Sequence, residues 1–251
     1  MSTVERQFPT FEAVRPLELF TRFKQSDYGQ ILQSSTRFGR FQGQLDQAAW
    51  EDLLGADVNN GQHMKLMYGM TRLFVTEHNA LSDSEHQLSS DEQELLCVAA
   101  AIHDQAEAIV GDIPAPHKKG TDHEEEMEIL VDLIHSSDFD ENVKNVCLKA
   151  VQEVIRDSST KLGHMWAVIE QIGYMRTGIR DWNIYTSGHY REGGRKHQRA
   201  VRHQLRMLAG DVKFHTLPRL EEAAKQYPVV KLFLQENVAV ISQMPSMKYI
   251  G

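Results

Sequence analysis

Cysteine occurs only twice in the 251 residues, at Cys97 and Cys147. Both fall in apolar segments of helical composition, which rules out a disulfide framework and reads as buried free thiols in a reducing compartment. Long apolar runs are missing too: no stretch approaches the ~18 to 20 consecutive apolar residues of a membrane-spanning helix. Met1 to Phe11 contains no apolar core and includes Glu5, with Glu12 just beyond, so no secretory signal is expected. Positive charge is in deficit, with 27 Lys and Arg against 35 Asp and Glu and a net charge of −8. That balance argues against duplex nucleic acid as the main partner. No Pro/Gly-rich or low-complexity linker divides the chain, so a single domain over residues 1–251 is expected. There is no sustained period-2 alternation and no internal repeat, which leaves an almost wholly helical chain. The expectation is an all-α cytoplasmic protein with no membrane attachment.

The most informative stretch runs from Ile102 through His103, Asp104, Gln105, Ala106 and Glu107 to Gly111, Asp112, Ile113 and Pro114. It follows the apolar run Leu95 to Ala101, which has helix-favouring composition and no Gly or Pro. Ser90 before Asp91 and Glu92 suits a helix start, with Ser90 as the N-cap. A helix this apolar belongs in a core. Its far end nevertheless carries an imidazole beside a carboxylate, which is expensive to desolvate without a partner. Glu107 falls one turn after His103 and can share a face with it, while Gly111 and Pro114 bring Asp112 round on a turn. Imidazole and carboxylate together suit one divalent ion (Mn, Co, Fe, Ni, Zn or Mg), and two such ligands do not complete its coordination. The remaining ligands must come from other helices.

Candidates exist on both sides. Residues 1–14 read as an extended arm with Pro9, followed by a helix opened by Pro16, a turn over Ser34 to Phe41 that carries Arg37 and Arg40, and a short helix capped by Asp46. Asn59-Asn60-Gly61 reads as a break. Beyond it, Met64, Met67, Met70 and Phe74 have helical spacing, with His63 in the first turn as either a capping histidine or a ligand. Glu124 to Glu128 open a further helix and suit a solvated face. Val143 to Ile155 pattern as a core helix that ends by Asp157. Lys161 to Gly178 form another, in which Glu170 sits among Met165, Trp166, Ile169 and Ile172. Glu170 either pairs with Arg176 or Lys161, faces water, or completes the metal set. From Ile179 to Gly194 the chain reads as irregular and aromatic. Arg195 to Arg206 then form a basic helix that is either solvated or turned toward phosphate or a second subunit. Helical segments Leu217 to Tyr227 and Val229 to Ser242 finish the chain.

With His63, the His103-Asp104 pair and a late helical carboxylate, the sequence resembles the HD-domain metal-dependent phosphohydrolases. Gln62-His63, His103-Asp104 with Glu107, and Gly111-Asp112-Ile113-Pro114 look like the branch that contains the 5′-deoxynucleotidases. The resemblance covers about residues 59–178. It implies an all-α HD-domain bundle around one divalent ion held by His63, His103, Asp104 and Glu170. The family's last ligand is usually Asp, and Asp157 is the runner-up to Glu170. Glu107 matches the carboxylate that activates water or protonates the leaving group, and Asp112 its acidic partner. The nucleotidases carry an Arg-Trp pair ahead of the first His. Here Arg37-Phe38 and Arg40-Phe41 stand in that region, and Arg37, Arg40, Lys118 or Lys119 could neutralise phosphate.

The activity implied is release of phosphate from a nucleotide or similar small phosphate ester by metal-activated water. The alternatives are a phosphodiesterase or nucleoside-triphosphate hydrolase on the same fold, and a non-catalytic metal-binding regulatory module. The expected partner is a small phosphorylated substrate, and the basic, aromatic C-terminal third is compatible with a homodimer.

Overall fold

The computed structural model of the chain describes residues 60–111, 120–188 and 194–248. Among them every regular element is helical and no strand occurs. In chain order these are α1 (Asn60–Leu81), α2 (Ser90–Ile102), the single turn α3 (Glu107–Val110), α4 (Gly120–Ser136) and α5 (Glu141–Ala150). A π-helical turn (Val151–Ile155) follows, then α6 (Lys161–Ser187), α7 (Arg195–Ala223) and α8 (Pro228–Gln243). The all-α class expected from the sequence is the class observed. None of the described helices is long and apolar enough to cross a membrane. The readings made for residues 1–59, and for Asp112 to Lys119, lie outside the described residues.

Helix α2 is the axle of the bundle. Every residue from Leu95 to Ile102 is at most 5% exposed, so all its sides are covered. Each Leu, Val or Ile buried in this way contributes roughly 1.5–3 kcal/mol. α1, α5, the π turn and α6 pack around it. Its start is a capping box, in which Ser89 Oγ accepts from the Glu92 amide and the Glu92 carboxylate accepts from the Ser89 amide. The N-cap is therefore Ser89 and not Ser90, because the reciprocal pair needs a spacing of three residues to the glutamate. Ahead of it, Asn79 clamps the α1–α2 connection: its Nδ2 donates to the Leu88 carbonyl at 2.8 Å and its Oδ1 accepts from the Leu88 amide at 2.7 Å.

Helix α6 outruns its sequence reading. It continues through the stretch that looked irregular and stops at Ser187, where Gly188 takes a left-handed conformation (φ 68°) as the C-cap. Gly178 is not a terminator. A Cβ there would lie 2.9 Å from Val212 Cγ1, so the missing side chain lets α6 and α7 approach closely. These two helices form an antiparallel hairpin, with Arg202 lying over the Tyr185 ring, 5.0 Å from its centroid. α7 likewise passes through Pro218 to Ala223 as one helix. The proline leaves one carbonyl of the preceding turn without its donor, and packing along the hairpin and α8 outweighs that loss. The basic residues Arg195, Lys196, Arg199, Arg202 and Arg206 are exposed. Of the Glu124–Glu128 run, Glu124, Glu125 and Glu128 are exposed while Glu126 turns inward at 6% exposure.

The α1, α6 and α8 helices meet at a second polar knot remote from residue 103. His78 (4% exposed) stacks on Phe74, and its Nε2–H donates to the His86 carbonyl at 3.1 Å while Nδ1 accepts from Ser82 Oγ at 3.4 Å. Tyr227 packs edge-on to the His78 ring and shares a 2.7 Å hydrogen bond with His164 Nδ1. Both nitrogens of His78 are thus satisfied by the neutral ring. Burial, together with the positive charges of Lys161 and His86, holds its pKa below the usual 6.5, although the His86 carbonyl opposes this. The unfolded chain therefore binds a proton that the folded chain refuses. Stability from this residue is complete above about pH 6.5 and is lost as pH falls below it, with a slope of up to about 1.4 kcal/mol per pH unit. Urea unfolding of His78→Gln at pH 7.5, 6.5 and 5.5 is expected to show a weaker pH dependence than the parent; equal slopes would refute the assignment.

Candidate metal centre

At the C-terminal end of α2 the helix stops at Ile102, and residues 103–106 turn before α3. This places His103 (9% exposed) at the bottom of the bundle. Its Nδ1 lies 3.1 Å from the Ala100 carbonyl. A carbonyl only accepts, so Nδ1 carries a proton, and the ring in its neutral form presents an Nε2 lone pair. That Nε2 is 3.2 Å from Asp104 Oδ1. The indole of Trp166, from α6, fixes the ring edge-on at 5.1 Å between centroids.

The other imidazole arrives from α1. His63 is 6% exposed, and its ring stands 5.6 Å from that of His103 at 63°. Its Nε2 is 3.9 Å from Asp104 Oδ2. Asp104 thus offers one oxygen to each histidine. One ligand atom from each of the three residues falls in a group whose members all lie within 4.8 Å of one another. Two donors each about 2.1 Å from a common ion stand roughly 3–4 Å apart, so small side-chain rotations suffice to close the set. The donor chemistry fits as well. A lone pair and a carboxylate oxygen facing each other in a water-poor site repel unless a proton or a cation lies between them. His63, His103 and Asp104 could therefore hold a divalent metal ion.

Glu107 opens α3 just beyond this group and is half-buried. Asn60 Nδ2, from the first residue of α1, donates to Glu107 Oε2. Asn60 is fully buried and begins the helix that positions His63. The sequence reading took Asn59-Asn60-Gly61 as a break and passed over it. The available signal was that Asn60 lies one turn before His63, on the same face of any helix carrying both.

Glu170 is half-buried on α6, one turn beyond Trp166, and is not a member of the three-residue group. Lys161, one of its proposed partners, instead pairs with Glu92 at 2.7 Å. Asp157 is exposed; hydrogen bonds from the Ser159 side chain and from the Ser159 amide, the latter at 2.8 Å, lower its pKa. It caps a turn and is not a member of the three-residue group. Asp112, Lys118, Lys119, Arg37 and Arg40 lie outside the described residues. A groove of about 780 Å³ between α1, α6 and α8, lined by Phe74, Arg176, Arg180 and Phe233, contains none of the site residues.

No family model matches the chain, and neither the curated proteins nor the solved structures yield a match.

The contact between Trp166 and His103 supplies a direct reporter. Titration with Ni²⁺ or Co²⁺ is expected to quench Trp166 fluorescence, since Trp182 stands about 24 Å farther along α6 at 1.5 Å per residue. Trp166→Phe should remove the metal-dependent quench. His63→Ala and Asp104→Ala should each weaken the metal affinity by more than about tenfold. Quenching that survives both ligand substitutions would place the metal elsewhere.

Proposed function

We propose that the protein is an HD-type metal-dependent phosphohydrolase, a phosphomonoesterase that releases phosphate from a nucleotide or a similarly small ester. The observation supporting this reading is the convergence of His63, from one helix, on the adjacent His103-Asp104 at the end of another, with Glu107 alongside. An ion bound only for stability would not call for a half-buried carboxylate held beside it by a fully buried amide. Glu170 is the proposed further ligand, reaching the ion through its longer arm or a water. Asp112 is the proposed acidic partner of Glu107, and Arg37, Arg40 or Lys118 the phosphate-neutralising cations.

A divalent ion at the two histidines and Asp104 would acidify a water and withdraw charge from a phosphoryl oxygen. The protein's own groups account for the rest. Asp104 spans both imidazoles and keeps their nitrogens on one point. Trp166 and the apolar wall of α2 exclude bulk water from that point, which strengthens every charge interaction there. Glu107 takes one proton from the attacking water as its oxygen forms a bond to phosphorus. The ester P–O bond breaks in line, the leaving oxygen departs as the alcohol with a proton from water at the open side of the site, and Glu107 releases its proton to solvent, which restores the carboxylate.

The test is phosphate release from a panel of mono-, di- and triphosphates with Mn²⁺, Co²⁺ and Mg²⁺. Monoesters should be the substrates; preference for triphosphates or diesters would move the assignment to those activities on the same scaffold. Glu107→Ala should reduce kcat by at least about 10²-fold with Ni²⁺ quenching of Trp166 retained. Lost metal binding in that variant would make Glu107 a ligand.

A further inference from the structure

Asn60 has a feature that the scheme above leaves unused. Its side chain is 0% exposed, and its Oδ1 has no hydrogen-bond partner. The orientation of the amide follows from its neighbour: an ionised carboxylate only accepts, so Nδ2 must face Glu107 Oε2, which leaves Oδ1 of the same amide as the unsatisfied atom. A buried acceptor without a donor is unfavourable, and a ligand that brings an O–H or N–H satisfies it. Asn60 precedes His63 by one helical turn, so the open acceptor lies on the face of α1 that carries the first candidate ligand.

We propose that Asn60 is the positioning residue of the hydrolytic water. Its Nδ2 fixes the carboxylate of Glu107, and its Oδ1 accepts one proton of the water whose other proton Glu107 removes. The proposal rests on the phosphohydrolase reading above. Water is favoured over a substrate hydroxyl because the two amide atoms are rigidly coupled. Whatever donates to Oδ1 must stand beside the carboxylate held by Nδ2. A water has one proton for each acceptor, and with both engaged its lone pairs face away from the amide and the carboxylate. A sugar hydroxyl has a single proton and would compete with the nucleophile for the same place. In the step itself, the water oxygen bonds to phosphorus, its first proton passes to Glu107, and its second stays on the new phosphate oxygen, hydrogen-bonded to Asn60.

The experiment uses the full chain with Mn²⁺, and p-nitrophenyl phosphate and a nucleoside monophosphate as probes. Asn60→Ala should lower kcat about a hundredfold for both esters with little change in KM. Ni²⁺ quenching of Trp166 should report a metal affinity within a few fold of the parent. Asn60→Asp keeps the shape but puts an acceptor where Glu107 needs a donor. It should lose as much rate, and it covers the case in which the alanine variant does not fold. In a Glu107→Gln background, Asn60→Ala should add no further loss, because the two act as a unit. Multiplying losses in the double variant, or parental kcat in both single variants, overturn the proposal while leaving the hydrolase reading intact. A loss seen with the nucleotide but not with p-nitrophenyl phosphate overturns it in favour of a sugar-hydroxyl acceptor. Absence of phosphate release from every ester by the parent protein defeats the hydrolase reading itself, and this proposal with it.

Discussion

Two imidazole nitrogens and a carboxylate face one another in a site nearly closed to water, and the rest of the bundle is arranged to hold them there. The Nδ1 proton of His103 is committed to the Ala100 carbonyl, so Nε2 is the nitrogen turned toward Asp104. Asp104 divides its oxygens between His103 and His63. In bulk water such groups would separate and hydrate. Here α2 is covered on every side and supplies no solvent, so the charge must be balanced locally. A divalent cation is one group that could satisfy all three at once.

The supporting elements are mostly apolar, and their precision comes from close approach. Gly173 on α6 has no side chain where Met67 of α1 lies: a Cβ there would stand 2.8 Å from the Met67 sulfur. This brings α6 near α1 at the level just past His63. About two turns earlier, Trp166 meets His103. At its far end α6 is held by α7, and α7 by α8, where Lys213 Nζ donates to the Ile241 and Met244 carbonyls at 2.6 and 2.7 Å. That ammonium neutralises the negative end of α8. The wall of the site is thus braced at some distance from His103.

Much of this was readable from residue order because helical periodicity is local. The apolar run from Leu95 to Ile102, the spacing of Met64, Met67, Met70 and Phe74, and the core pattern of Val143 to Val154 each describe a face that is buried as expected. Errors arose where one residue type serves two purposes. Gly178, where the sequence pattern ends a helix, is a contact point within one, and Pro218 lies inside a helix that continues past it. In both cases tertiary packing outweighed local preference, which is a difference of only about 1–3 kcal/mol per residue. Asn60 shows the converse. An Asn-Asn-Gly sequence has the composition of a turn, yet its second residue is fully buried as the opening of α1.

Sequence alone determined the helical class, the buried thiols and the apolar axle, because composition and 3.6-residue periodicity act over a few turns; the grouping of His63 with His103 and Asp104 was an expectation from resemblance. Only the tertiary structure decided that His63 meets His103 and Asp104, that Asp157 caps a turn at the surface, and that a buried amide grips Glu107. Those outcomes depend on how separate helices lean against one another. That angle is set by the summed packing of many side chains, and no local stretch of residues encodes it.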